Sequence, residues 1–324
     1  MNTTQPAILV RDLLKIYTKK GGQSVRALDG LSLRVEQGEI FGLLGRNGAG
    51  KTTLLRILTT LIQPTGGSAS VMGLDVVKHP YEVRKQICTV LQENAVELYL
   101  SVADNLATYG RFQSIPHPEI KQRVASVLEQ FGLDEYRNQK VIDLSGGLKR
   151  RVQVSKVFMV DRPVVFLDEA TTGMDPISKR GTIEAIREQA LLGRTIFLTT
   201  HILQEAEELC DTIAIVDRGK TIAQGNLEMI KSLSSHAFDM SITFETIDDA
   251  ILHELEQLPL LKLTYKHNTA EICVKGNELS ALNILKNLSD RHTILRFEVG
   301  RATLEDVFLE ILGRDHVAGG KPPL

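Results

Sequence analysis

The run Gly45-Arg46-Asn47-Gly48-Ala49-Gly50-Lys51-Thr52 constrains this chain more than any other stretch of it. It has the form G-x-x-x-x-G-K-[ST] and lies between the dense apolar run EIFGLLG and the helical pattern KTTLLRILTTL. In such a strand-loop-helix setting, glycines let backbone N–H groups converge on phosphate oxygens. The positive end of the helix dipole then points at the same anion. Lys51 is placed to reach the β and γ phosphates as a point charge, and the Thr52 hydroxyl to ligate Mg²⁺. Gly45, Asn47, Gly48, Ala49, Gly50 and Thr53 complete the candidate phosphate-binding loop. Alone, the loop specifies a nucleoside triphosphatase and nothing narrower.

A second element is required, and PVVFLDEA supplies it. Its apolar residues bury a strand whose carboxyl end presents Asp168 near the metal. Glu169, one residue on, is suited to orient or deprotonate the attacking water. Read alone, two carboxylates at a strand end are also compatible with ordinary solvated charges; joined to the phosphate loop, they form the other half of a nucleotide site.

The rest of the chain sets the architecture around this pair. With 324 residues, one large domain plus a small appendage is expected. The apolar strands PVVFLDEA and RTIFLTTH each precede a helix-compatible stretch, so strand and helix alternate as in a parallel α/β sheet. Before them come short β segments (AILV, VRALDGLSLRV), a turn at Gln63–Gly67, and a helical middle region at about 95–160. There Ile120, Val124, Val127, Leu128 and Phe131 share one helical face. IAIVDRGKTIAQG reads as a closing hairpin. From about residue 236 the rhythm restarts as β-α-β-β-α-β, a split, ferredoxin-like pattern. A final helix opens with a capping box at Thr303 and Asp306 and carries Leu304, Val307, Phe308, Ile311 and Leu312 on one face. The domains expected are therefore 1–230, 236–312 and a disordered tail at 313–324.

Composition excludes several classes of function. A formal net charge of -2 gives no basic footprint for general nucleic-acid binding. Cys88, Cys210 and Cys273 are far apart and odd in number, which suggests neither a disulfide framework nor a metal cluster and fits a reducing, cytosolic setting. The start MNTTQPAILVRDLL lacks a charged n-region followed by an apolar h-region, and no long uncharged apolar run occurs. The chain is thus expected neither to span a membrane nor to enter the secretory path by itself.

At Leu144-Ser145-Gly146-Gly147 the sequence resembles the ABC-transporter ATPase family, whose signature runs L-S-G-G-Q. The family's order is complete over roughly residues 7–225. It comprises an aromatic at Tyr17, the phosphate loop, Gln92, the signature, Asp168-Glu169, a D-loop at Gly173-Met174-Asp175, and His201 closing a strand. The resemblance implies a P-loop α/β ATPase domain, with a mixed sheet core and a helical subdomain, that binds ATP and Mg²⁺. It further implies that Tyr17 stacks on adenine, that Gln92 contacts metal or water and senses the membrane partner, and that His201 contacts the γ-phosphate. Ser145, Gly146, Gly147 and Asp175 are implied to serve the nucleotide across a dimer. Plainer alternatives stay open: Tyr17 as a strand aromatic filling a core, Gln92 as a surface amide, His201 as a histidine near a helix start, Ser145 as a helix N-cap.

Leu148 departs from the signature glutamine and is followed by Lys149-Arg150-Arg151, which is similar to the subgroup that includes daunorubicin-resistance ATPases. Ala302–Leu309 likewise resembles the A-T-L-E-D-V-F-L tail of ATPases serving ABC-2 type export permeases. The reading that results is an ATP-hydrolysing export motor for a drug-like, lipid or other amphiphilic substrate. It works as a homodimer, with a separate multi-span permease and no nucleic acid, peripheral on the cytoplasmic face of the membrane. The alternative is a soluble ABC ATPase acting on ribosomes or DNA. Against it stand a single phosphate loop and the lack of a long heptad insertion before Ser145. Region 236–312, whose His253, His267 and His292 are scattered, reads as a structural or dimer-supporting appendage.

Overall fold

The computed structural model describes residues 5–18, 22–90, 96–233, 237–258, 260–275, 278–301 and 303–308. The chain forms two units, Met1–Gln224 and Gly225–Leu324. The first opens with β1 (Ile8–Thr18), β2 (Ser24–Val35), β3 (Ile40–Leu44), α1 (Lys51–Leu58), β4 (Gly66–Val71), β5 (Leu74–Asp75), α2 (Pro80–Gln86) and β6 (Ile87–Val90). Three helices follow: α3 (Val102–Phe112), α4 (His117–Gln130) and α5 (Gly146–Lys156). Then strand and helix alternate through β7 (Val164–Asp168), α6 (Pro176–Leu191), β8 (Thr195–Thr200), α7 (Leu203–Leu209), β9 (Thr212–Asp217) and β10 (Lys220–Gly225).

β3, β7 and β8 are buried along their whole length, as expected of near-continuous apolar runs covered on both faces. They lie in a six-stranded sheet of order β10-β9-β3-β8-β7-β6. Its pairs from β9 to β6 are parallel, so their carboxyl ends share one edge. Register places Leu44 beside Thr200 and Asp168 beside Thr199 at that edge. Phe197 links the strands, its ring 5.2 Å from that of Phe41 and 5.4 Å from that of Phe166. Arg218 and Gly219, at φ 44 and 78, turn β9 into β10 as a type I′ hairpin.

A second sheet, β2-β1-β4-β5, is antiparallel where β1 meets β2 and β4. β1 runs on past the AILV segment to Thr18. The charges at Arg11 and Asp12 interrupt the apolar pattern because the strand bulges there. Asp12 takes φ 46 and its N–H donates to Ser32 Oγ at 2.8 Å. α4 buries Ile120, Val124, Val127 and Leu128, the face expected from spacing, in a core shared with α3 and α5.

The second unit holds α8 (Leu227–Leu233), β11 (Ala237–Phe244), α9 (Asp249–Glu256), β12 (Leu260–Lys266), β13 (Thr269–Lys275), α10 (Glu278–Ser289) and β14 (Ile294–Arg301). From β11 onward this is the β-α-β-β-α-β order, folded as an antiparallel sheet β12-β13-β11-β14. Met240, Ile242, Phe244, Ile251, Leu255, Ile272 and Val274 build its separate core. Residues 304–308 are helical and begin with the Thr303–Asp306 box, the Thr303 N–H donating to Asp306 Oδ2 at 3.0 Å. Ile311, Leu312 and the segment 313–324 lie outside the described residues. Cys88 and Cys273 are buried and Cys210 is half-buried. Burial pushes the Cys88 thiol up to about 12 and raises that of Cys210 as well. Among the described residues no helix is long and apolar enough to cross a membrane.

Candidate functional site

The loop after β3 is shaped by what cannot fit there. A Cβ on Gly45 would lie 2.5 Å from Val216 O and 3.0 Å from Ala49 Cβ, so a side chain would collide with β9. Gly50, at φ 110, adopts the left-handed backbone that lets the chain enter α1. Among the described residues no side chain caps that helix, which leaves the N–H donors of its start available to an anion. Lys51 is buried, its Nζ donating to Gly45 O at 2.6 Å and Arg46 O at 3.2 Å. Burial pushes its ammonium down from the ordinary lysine value, while Glu169 and Asp168 act in the opposite direction. A cavity of about 530 Å³ is lined by Asn47, Gly48 and Gly50, by Lys51, Thr52 and Thr53 of α1, by Ala27, and by Glu169 and His201.

Both carboxylates stand at the carboxyl end of β7. Asp168 is buried, and its Oδ1 accepts the Thr199 hydroxyl from the neighbouring strand. Glu169 has φ 51, a region sparsely used by residues other than glycine, and its N–H donates to Thr199 O at 3.0 Å. Its Oε1 lies 3.1 Å from His201 Nδ1. Two groups not singled out by sequence reasoning fix this arrangement. Glu205, buried on α7, accepts the Thr171 hydroxyl at 2.7 Å and the Thr200 hydroxyl at 2.6 Å, tying the loop after Glu169 to the one that carries His201. Arg150 of α5 reaches the backbone of Asp168, Glu169 and Ala170.

The signature residues form a second group that does not line the cavity. Ser145 is the N-cap of α5, its Oγ accepting from Leu148 N at 3.3 Å. A Cβ on Gly146 would meet nothing within 4 Å, whereas one on Gly147 would lie 3.3 Å from Asp175 Oδ2 and 3.4 Å from Met174 Cα. Asp175 is itself the N-cap of α6, its Oδ1 accepting from Ile177 N and Ser178 N, and the hydrogen bonding with Ser178 holds its carboxyl below the usual range. Leu148, where the sequence departs from glutamine, packs partly buried against the core under the helices. Tyr17 also stands apart from the cavity lining, 37% exposed near the end of β1, with Lys15 Nζ 5.2 Å from its ring centre. Gln92 lies outside the described residues.

Comparison with known proteins adds an independent line. Residues 28–172 match the family model described as ABC transporter. The daunorubicin/doxorubicin resistance ATP-binding protein DrrA of Streptomyces peucetius is 35% identical over 319 residues, which span 96% of this chain and 94% of that protein. The Nod factor export ATP-binding protein I of Ralstonia nicotianae is 34% identical over 96% of this chain and 95% of its own length. Among solved structures, an ATP-binding subunit of an ABC transporter aligns with TM-score 0.62 at 28% identity, over 70% of this chain and 92% of that one. CbiO1 from Clostridium perfringens, part of the ABC transporter complex CbiONQ, aligns with TM-score 0.63 at 26% identity, over 71% and 92%.

Proposed function

Because the chain belongs to the family of ABC transporter ATP-binding subunits, we propose that it is the ATP-hydrolysing motor of an exporter, working as a pair of copies on a separate multi-span membrane permease. The observation that carries this reading is the convergence of Lys51, Thr52, Glu169 and His201 on one cavity at the shared edge of three parallel strands. The buried ammonium, the start of α1 and the glycine-built loop fit a triphosphate. Among the described residues no three His, Cys, Asp or Glu gather as a metal cage, so Mg²⁺ would be held by the Thr52 hydroxyl and Asp168 together with phosphate oxygens, with Gln92 as a further contact. Bound there, the ion would neutralise charge on the phosphate oxygens.

Glu169 orients the attacking water and accepts its proton. His201, its Nδ1 3.1 Å from Glu169 Oε1, is the ring that meets the γ-phosphate. Tyr17 stacks on adenine. Ser145 and the Gly147 backbone, at the start of α5, contact the ATP held by the other copy, which Asp175 also serves from its place beside Gly147. Region 1–230 is the nucleotide-binding domain and 236–312 supports the pair. The relatives' names favour an amphiphilic cargo. In the helical region 95–160, the large apolar side chains exposed near Gln92 in sequence are Leu98 and Tyr99, which adjoin Ile142 through the Ile142 N–H to Leu98 O bond of 2.8 Å. α4 exposes no large apolar side chain, so the apolar surface offered to the permease is that of Leu98, Tyr99 and Ile142.

Sedimentation velocity of Glu169→Gln tests the pair: ATP is expected to convert monomer to dimer. Adding Lys51→Ala or Gly146→Asp should abolish the conversion, the latter because a carboxylate beside the γ-phosphate repels it. A Glu169→Gln protein that stays monomeric at saturating ATP would remove self-pairing from the reading.

A further inference from the structure

Arg150 stands in the second turn of α5, the helix capped by Ser145, yet its guanidinium reaches beyond that helix. Nη2 donates to Asp168 O at 2.5 Å and Glu169 O at 2.9 Å, Nε donates to Ala170 O at 3.2 Å, and Nη1 donates to Gln153 Oε1 at 2.7 Å. A planar fork of fixed donors is suited to three successive carbonyls in a way that a single ammonium is not. The middle carbonyl belongs to Glu169, whose left-handed backbone needs its surroundings to hold it. Gly147, one turn earlier on α5, lies against Met174 and Asp175. The first two turns of α5 therefore bracket the segment 168–175 at both ends.

We propose that Arg150 is a positioning residue for hydrolysis: it fixes the backbone of Asp168–Ala170 in the form that presents Glu169 to the cavity, and so ties Glu169 to the signature helix of its own chain. The consequence for coupling rests on the paired reading above. In such a pair, α5 faces the ATP bound by the other copy while Glu169 serves the ATP bound by its own. One side chain then links the nucleotide sensed across the pair to the carboxylate that acts on the nearer nucleotide.

Steady-state ATPase kinetics of the full chain, with Arg150→Met and Arg150→Lys, provide the test. Arg150→Met is expected to lower kcat about 10- to 100-fold, the scale of a misplacement near 1 Å, with KM and the affinity for a fluorescent ATP analogue held within about threefold. Arg150→Lys should lose less, since it restores the charge without the fork, and it reads the same effect should the methionine variant misfold. The decisive arm repeats Arg150→Met in Glu169→Gln. A residue acting through Glu169 has little left to act on there, so the residual turnover should change by less than about twofold. An equal fractional loss in both backgrounds, or wild-type kcat in Arg150→Met and Arg150→Lys, would overturn the assignment. Sedimentation of Glu169→Gln judges the paired reading separately: a monomer there, alongside a Glu169-dependent loss in Arg150→Met, leaves the positioning role standing and removes the coupling across copies.

Discussion

At φ 51, the backbone of Glu169 costs a residue with a Cβ on the order of 1–2 kcal/mol, a cost that glycine escapes. Glu169→Ala and Glu169→Gly both lack the carboxylate, so each should hydrolyse ATP about 10²- to 10⁴-fold more slowly. They should differ in stability: the glycine variant is expected to be the more stable by about 1 kcal/mol, since alanine keeps the strain. Denaturant unfolding of the two side by side measures this, and an alanine variant of equal or greater stability would argue against a strained Glu169. The place of Glu169 just past the end of a buried strand was legible in PVVFLDEA, because an apolar run that stops at two carboxylates reads as a strand with those carboxylates at its end. Its dihedral was not, since φ follows from Thr199 and Arg150, residues 30 and 19 positions away in the chain. Glu205 was invisible for a related reason. Glu205, Glu207 and Glu208 look alike in LQEAEEL, and only the packed α7 shows that Glu205 meets two buried hydroxyls.

At the scale of elements, β3, β7 and β8 were readable because a strand buried on both faces leaves an unbroken apolar run. The second unit was readable because its strands and helices change period from 2 to 3.6 in a fixed order. The continuation of β1 to Thr18 was hidden by its bulge, and strand order within a sheet leaves no local trace at all. The cores of residues 7–216 and 240–294 are built from different residues. A chain ending at Gln224 should therefore fold, melt cooperatively and bind ATP within about threefold of the full chain, as calorimetric titration would show. An insoluble product, or a soluble one without affinity for ATP, would mean that the second unit completes the first. α5 shows why some substitutions make poor probes. A side chain at Gly147 presses on Asp175 of its own chain and confuses an effect across the pair with one inside it, whereas Gly146 is open.

Across the whole molecule, the thiols have an experimental consequence. Cys88 and Cys210 lie in the first unit and Cys273 in the second, and burial suppresses ionisation of the first two. Alkylation proceeds through the thiolate, so a folded sample treated briefly with a maleimide at pH 7 should gain little mass, while urea should open all three positions to modification. Rapid stoichiometric labelling of the folded chain would contradict the burial described for these residues. A natural background that quiet makes the native protein its own blank for spectroscopy. One cysteine placed at Leu191, 87% exposed at the end of α6 and away from the residues assigned to the nucleotide, would carry a fluorophore or spin label without first stripping out the resident thiols, and the approach of two copies could be timed in an otherwise unaltered motor.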